Sequence, residues 1–131
     1  MKTPQELPKP TDAELSILRV LWQRGASTVR EVHEELNQQK PTGYTTVLKL
    51  LQIMTEKGLV VRNEEERAHV YQATQAQEIA QNRLMGDLME RLFDGSAQKL
   101  VLHALSNHKA TPAEMAEIRH LLEAMEKEEE R

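Results

Sequence analysis

Residues 41–60 read PTGYTTVLKLLQIMTEKGLV, and how this stretch folds decides the architecture of the chain. Pro41 and Gly43 break what precedes them, Lys57-Gly58 ends the periodic run, and Leu59 re-enters apolar sequence at once, which is the punctuation of one helix between two turns. At about 100° per residue, Val47, Leu51 and Met54 fall together, flanked by Tyr44, Leu48 and Leu50. Thr45, Lys49, Gln52 and Glu56 point the other way, with Thr46 and Ile53 at the margin. The first set is a core face. The second carries hydroxyl, ammonium and carboxamide groups, the types that bond phosphate oxygens and the edges of bases. A polar helix face is most often simply solvated, so the flanking sequence must show whether this one has a use.

Upstream, Thr11 and Glu14 form a capping box ahead of Leu15, Leu18, Leu21 and Trp22, and Gly25 closes that helix. Thr28 and Glu31 form a second box ahead of a short helix with Val29, Val32 and Leu36 on its apolar stripe. Downstream, LVVR (59–62) and AHVYQA (68–73) are two β-rich runs separated by polar residues, a hairpin. Three helices and a hairpin, in that order, make a winged helix-turn-helix, in which the third helix can enter a DNA major groove. Thr74 with Gln77 signals a further helix carrying Ile79, Leu84, Leu88 and Leu92, ended by Gly95. Residues 96–106 give another with Leu100, Val101, Ala104 and Leu105. Thr111, Pro112 and Glu114 open a last one with Met115, Ile118, Leu121, Leu122 and Met125.

The expected fold is therefore mainly α with a small β-hairpin: a disordered arm at 1–10, a winged helix at 11–74, a helical region at 75–127 and a frayed acidic tail at 128–131. The apolar stripe of Leu84, Met85, Leu88, Met89 and Leu92, continued by Leu100, Val101, Leu105, Ile118, Leu121 and Leu122, is too wide for three short helices to close by themselves. A second copy of the chain would bury it, and a two-fold dimer would set two third helices on the half-sites of an inverted repeat. Packing of these helices on the winged domain of the same chain is the alternative.

Composition narrows the function classes. With no cysteine among 131 residues, thiolate metal sites, disulfides and cysteine nucleophiles are excluded. His33, His69, His103, His108 and His120 show no metal-ligand spacing, the five glycines form no phosphate loop, and no catalytic constellation is in view. We expect no metal, no cofactor and no enzyme. No apolar run approaches the ~20 residues that span a bilayer, and MKTPQELPKP lacks the apolar core of a secretory signal, so a cytoplasmic protein without membrane contact is expected. The net charge of −4 is unevenly spread: residues 1–74 carry ten acids and ten bases, and residues 75–131 eleven acids and seven bases. Within 40–62, Lys40, Lys49, Lys57 and Arg62 face only Glu56, a small positive strip suited to a local footprint on phosphates.

TDAELSILRVLWQRG, YTTVLKLLQIMTEKGLV, RAHVYQA and MERLFDGSAQKLVLHAL resemble, in this order and spacing, the BlaI/MecI family of bacterial repressors over about residues 10–125. The resemblance implies a homodimeric transcriptional repressor, with an N-terminal winged helix and a C-terminal dimerisation region, on a palindromic double-stranded DNA operator. It places Tyr44, Thr45, Thr46 and Lys49 in the recognition helix and Arg62 and Arg67 at the base of the wing. With Lys40, Thr42 and Gln52 these are the candidate DNA-binding residues. The wing tip Asn63-Glu64-Glu65-Glu66 departs from the basic, glycine-containing turn of many relatives and would repel phosphate. Copper-responsive members use cysteine pairs, absent here. The β-lactamase regulators are cleaved at an Asn-Phe bond whose counterpart is His103-Ala104, which a regulatory protease would cut only with altered specificity. Two other readings stay open: a winged-helix protein-interaction module, favoured by the acidic wing, and a ligand-controlled repressor of another winged-helix family, which would need an apolar cavity between the first helix and the C-terminal helices.

Overall fold

The computed structural model describes residues 7–130. Its elements run α1 (Asp12–Arg24), β1 (Ser27–Thr28), α2 (Val29–Gln39), α3 (Tyr44–Lys57), β2 (Val60–Asn63), β3 (Val70–Ala73), α4 (Gln77–Leu92), α5 (Ala97–Asn107) and α6 (Pro112–Glu129). The helices start where local chemistry satisfies their free amides. Thr11 and Thr28 each accept from the backbone three residues on, at 3.2 Å, while Glu14 and Glu31 each accept the cap residue's amide at 2.9 Å, so both capping boxes are complete. Thr111 caps α6 ahead of Pro112. α3 ends at Gly58, whose φ of 85° is left-handed and whose missing Cβ makes room for Leu7.

The three strands pair antiparallel in the order β1-β3-β2, with Arg62 opposite Tyr71 on one side and Ser27 opposite Tyr71 on the other. The sequence pointed only to the hairpin. β1 is two residues long and has no periodicity to read; it arises because Thr28, as the α2 cap, must be extended (φ −79°, ψ 165°), which lines its backbone up with Val70. The core lies among α1, α2, α3 and the sheet, where Ile17, Val32, Val47, Leu51 and Met54 are fully shielded and Tyr71 closes the β side. Each such aliphatic side chain contributes about 1.5–3 kcal/mol on burial.

Backbone contacts divide the chain into a first unit ending at Met85 and a second beginning at Gly86, so the break falls inside α4. The boundary read at Thr74–Gln77 precedes this break, because the segment leading into α4 and the first turns of α4 are held within the first unit. Trp22 Nε1 donates to the Gln75 carbonyl at 2.9 Å, Arg83 donates to the Leu7 carbonyl, and Ala80 is buried. Thr74 is not the cap of α4: its hydroxyl donates to the Gly58 carbonyl at 2.7 Å. Of the arm expected to be disordered, residues 1–6 lie outside the described residues and Leu7 is buried in the core. The tail expected to fray is helical through Glu129; Arg131 lies outside the described residues. Leu7, Leu18, Trp22, Leu59, Ala80 and Leu84 line a cavity of about 20 Å³ within the first unit, room for one water.

In the second unit, Phe93, Leu100, Leu105, Met115 and Ile118 are half-buried, with the Phe93 ring 5.3 Å from that of His103. α5 and α6 contain no fully buried residue. Among the described residues no helix is long and apolar enough to cross a membrane.

Candidate nucleic-acid interface

α3 separates its two faces as its periodicity requires. Val47, Leu51 and Met54 are buried without remainder, and Thr45, Thr46, Lys49 and Gln52 all stand in solvent. The free face has no acid in the first helical turn, and the cap residue Gly43 supplies no side-chain acceptor. The first amides of α3 therefore keep their donors, and the helix dipole adds a positive partial charge at the same end. This is an anion-accepting terminus that runs directly into hydroxyl and ammonium side chains. Tyr44, 48% exposed, heads the helix with its ring edge-on to His33 at 5.7 Å.

Lys40 is exposed at the end of α2. Thr42 is occupied within the turn: its amide donates to Asn37 Oδ1 (3.0 Å), its hydroxyl to the Lys40 carbonyl (2.8 Å), and its carbonyl accepts from His33 Nε2 (2.7 Å). Of its side chain only hydroxyl lone pairs remain for an outside donor.

The wing divides its cations. Arg62 is half-buried; hydrogen bonding to Tyr71 and the charge of Glu64, with which it pairs, together raise its pKa above the ordinary guanidinium value. It braces the hairpin. Arg67, by contrast, is exposed and lines an open groove with Arg30, Tyr44, Leu48 and His69, between the start of α3 and the end of the wing. Arg30 and His69 were not among the sequence candidates. Arg30's place in the first turn of α2 was legible, but not that this turn faces β3, which depends on the unforeseen β1 pairing. The tip, Glu64 to Glu66, is exposed and acidic.

Lys57, counted in the positive strip, belongs elsewhere. Its ammonium donates to both oxygens of Glu14, at 3.0 and 2.8 Å, and Glu14 is only 1% exposed. Burial alone would raise the Glu14 pKa. The hydrogen bonds from Lys57 and the Thr11 amide, together with the Lys57 charge, outweigh it and hold the carboxyl below its ordinary range.

The apolar candidates of the C-terminal helices fall into three sets. Leu84 lines the cavity of the first unit. Leu100, Leu105 and Ile118 are half-buried within the second, while Leu88, Leu92, Val101, Leu121 and Leu122 are exposed, together with Met85 and Met125 of the same stripes and Leu102, which the periodicity did not place on them.

Comparison with known proteins agrees with this geometry. Residues 10–124 match the family described as penicillinase repressor. The transcriptional regulator BlaI of Mycobacterium tuberculosis is 33% identical over 105 residues, covering 79% of this chain and 76% of that one. The penicillinase repressor of Bacillus licheniformis is 24% identical over 119 residues, 91% of this chain and 93% of the relative. Among solved structures, the DNA-binding domain of the repressor BlaI superposes with a TM-score of 0.51 at 26% identity, covering 60% of this chain and 93% of that domain. A MarR family protein from Bacillus stearothermophilus, 18% identical over 98% of this chain and 83% of its own, shares the fold with the same TM-score. With a winged helix in the observed order and a family match over nearly its whole length, the chain belongs to the penicillinase repressor family, whose members are DNA-binding transcriptional repressors.

Proposed function

We propose that this repressor works in the cytoplasm as a homodimer on an inverted-repeat operator, with α3 in the major groove of each half-site. The observation that carries the reading is the clean division of α3: a fully buried apolar line holds the helix rigid, and an acid-free, uncapped end presents Thr45, Thr46, Lys49 and Gln52 outward. Arg67, Arg30 and Lys40 lie in or beside the same unit as exposed cations suited to phosphates, and Arg62 supports them by stiffening the wing. The absence of any buried residue in α5 and α6, set against exposed Leu88, Leu92, Leu121 and Leu122, supports a second copy as the partner that completes the second unit. The His103–Ala104 bond lies inside α5, so a regulatory protease, which needs an extended substrate, would act only after local unfolding of that helix.

The test is binding to the duplex immediately upstream of the chain's own coding sequence, against a random duplex of equal length, across a salt series. Wild type should prefer the upstream duplex. Lys49→Ala should weaken both and lower the logarithmic salt slope by about one, and Thr46→Ala should weaken only the upstream duplex, by about 1 kcal/mol. Equal binding of both duplexes by wild type would remove the repressor reading and favour a protein-docking role for the acidic wing.

Gly43→Asp separates stability from binding. Gly43 has φ −75°, and a Cβ there would meet only Thr46 Oγ1, at 3.5 Å, so a side chain fits. An aspartate cap should leave the melting temperature equal or slightly higher, by a few tenths of a kcal/mol. The same carboxylate would stand where a phosphate must sit, and affinity for the upstream duplex should fall at least tenfold, as a fluorescence-anisotropy titration beside a thermal melt would record.

A further inference from the structure

A recognition helix is only as well aimed as the turn that delivers it, and here α3 has no cap of its own. Gly43 offers no side chain to the first amides, and Lys40 to Gly43 form an irregular link between α2 and α3. The link is held from outside. His33 and Asn37 are four residues apart on α2, hence on one face of it. Asn37 Oδ1 accepts the Thr42 amide at 3.0 Å, and His33 Nε2 contacts the Thr42 carbonyl at 2.7 Å. A carbonyl oxygen only accepts, so Nε2 must carry the proton and donate it. The His33 ring also presents itself to Tyr44 at an interplanar angle of 75°, an edge-to-face contact with the first residue of α3. Both backbone polar groups of Thr42 and the ring of Tyr44 are thus fixed by two side chains of the preceding helix.

Building on the operator-binding reading, we propose that His33 and Asn37 are positioning residues for operator recognition: they lock the α2–α3 turn so that Lys40, Tyr44 and the open amides of α3 meet the duplex as one preorganised surface. Neither needs to touch DNA. What they remove is the freedom of a glycine-containing turn, which would otherwise be lost on binding and weaken the specific complex.

The experiment uses the full chain, the upstream duplex and a random duplex of equal length, with His33→Phe, His33→Gln and Asn37→Ala. His33→Phe keeps a ring against Tyr44 and removes the donor; His33→Gln keeps a donor and removes the ring. Expected results are a tenfold or larger loss of upstream-duplex affinity for His33→Phe and Asn37→Ala, random-duplex binding within about twofold of wild type, and recovery of most of the loss in His33→Gln. Amide exchange read by NMR reports the clamp without DNA: the Thr42 amide should exchange at least tenfold faster in Asn37→Ala, while Val32 and Leu51 in the core stay protected. Unchanged Thr42 exchange, or unchanged discrimination in His33→Phe and Asn37→Ala, would overturn the proposal. So would loss of core protection along with binding, which would make these residues supports of the fold alone. A wild type that does not discriminate fails in its own arm and takes the positioning role with it, whatever the exchange data show.

Discussion

Lys57→Met should lower the stability of the first unit by about 3 kcal/mol at pH 7. Glu14 is shielded almost completely, and the Lys57 ammonium contacts both of its oxygens. Removing the ammonium leaves a buried carboxylate held by Thr11 alone, whose amide donates at 2.9 Å. That situation ordinarily costs about 3–5 kcal/mol, and the lower end applies because the Lys57 side chain is 32% exposed and water can reach the vacated position. The pH dependence has a definite sign. The folded pKa of Glu14 is depressed below its ordinary value of 4.5, so the ion pair stabilises the fold above that pH and the contribution fades as pH falls through the folded pKa. In Lys57→Met burial is opposed only by the hydrogen bonds from Thr11, which shifts the balance toward the protonated acid, so the variant loses less stability than wild type on acidification. Urea unfolding followed by the fluorescence of Trp22, the one tryptophan, at pH 7 and pH 4 should show a wide gap between the two proteins at neutral pH and a narrower one in acid. A gap of equal width at both would show that the pair does not act through the charge of Glu14.

The same ion pair marks the limit of what the sequence made legible. The two faces of α3 were readable because a 3.6-residue period is local, and Val47, Leu51 and Met54 are as shielded as their spacing required. The caps at Thr11, Thr28 and Thr111 were readable for the same reason, since each bond spans three residues. Glu14 and Lys57 lie 43 positions apart, and nothing in the chain between them announces that the capping glutamate of α1 also anchors the last turn of α3. Counted along the sequence, Lys57 therefore looked like part of a phosphate-facing strip. Thr74 misled in the opposite way: with Gln77 three residues on it had the form of a cap, but the chain reversal at Gly58 brings a free carbonyl to its hydroxyl first. Arg62 was correctly placed on the hairpin, yet whether it faces outward or braces Tyr71 is settled by strand register, which no single strand encodes. The geometry of the candidate site was thus legible where it is carried by one helix, and hidden where it depends on partners brought together by the fold.

Leu121→Glu should reduce affinity for the full inverted repeat by a factor on the order of 10² to 10⁴ while leaving affinity for an isolated half-site unchanged. Under the proposed dimer, the second half-site binds at the high effective concentration set by the first, and that advantage is what pairing of the C-terminal helices supplies. Leu121 is 56% exposed in the single chain and its neighbour Leu122 is 53% exposed. A glutamate there accordingly costs the isolated protomer almost nothing, and only burial against a second copy makes the charge expensive. The folded core of the first unit contains no residue of α6, so its melting should be unaffected. Gln98→Glu supplies the comparison, since Gln98 is an exposed polar residue of α5 and the substitution adds the same charge without entering an apolar face. Sedimentation should find wild type and Gln98→Glu as dimers and Leu121→Glu as a monomer, and gel shifts on full and half operators should divide in parallel. Should Leu121→Glu sediment as a dimer with undiminished affinity for the full repeat, α6 lies outside the interface and the pairing must run through the exposed residues of α4 and α5 instead. Should it become monomeric without losing affinity, the two half-sites are not held by one dimer, and the inverted repeat has no part in recognition.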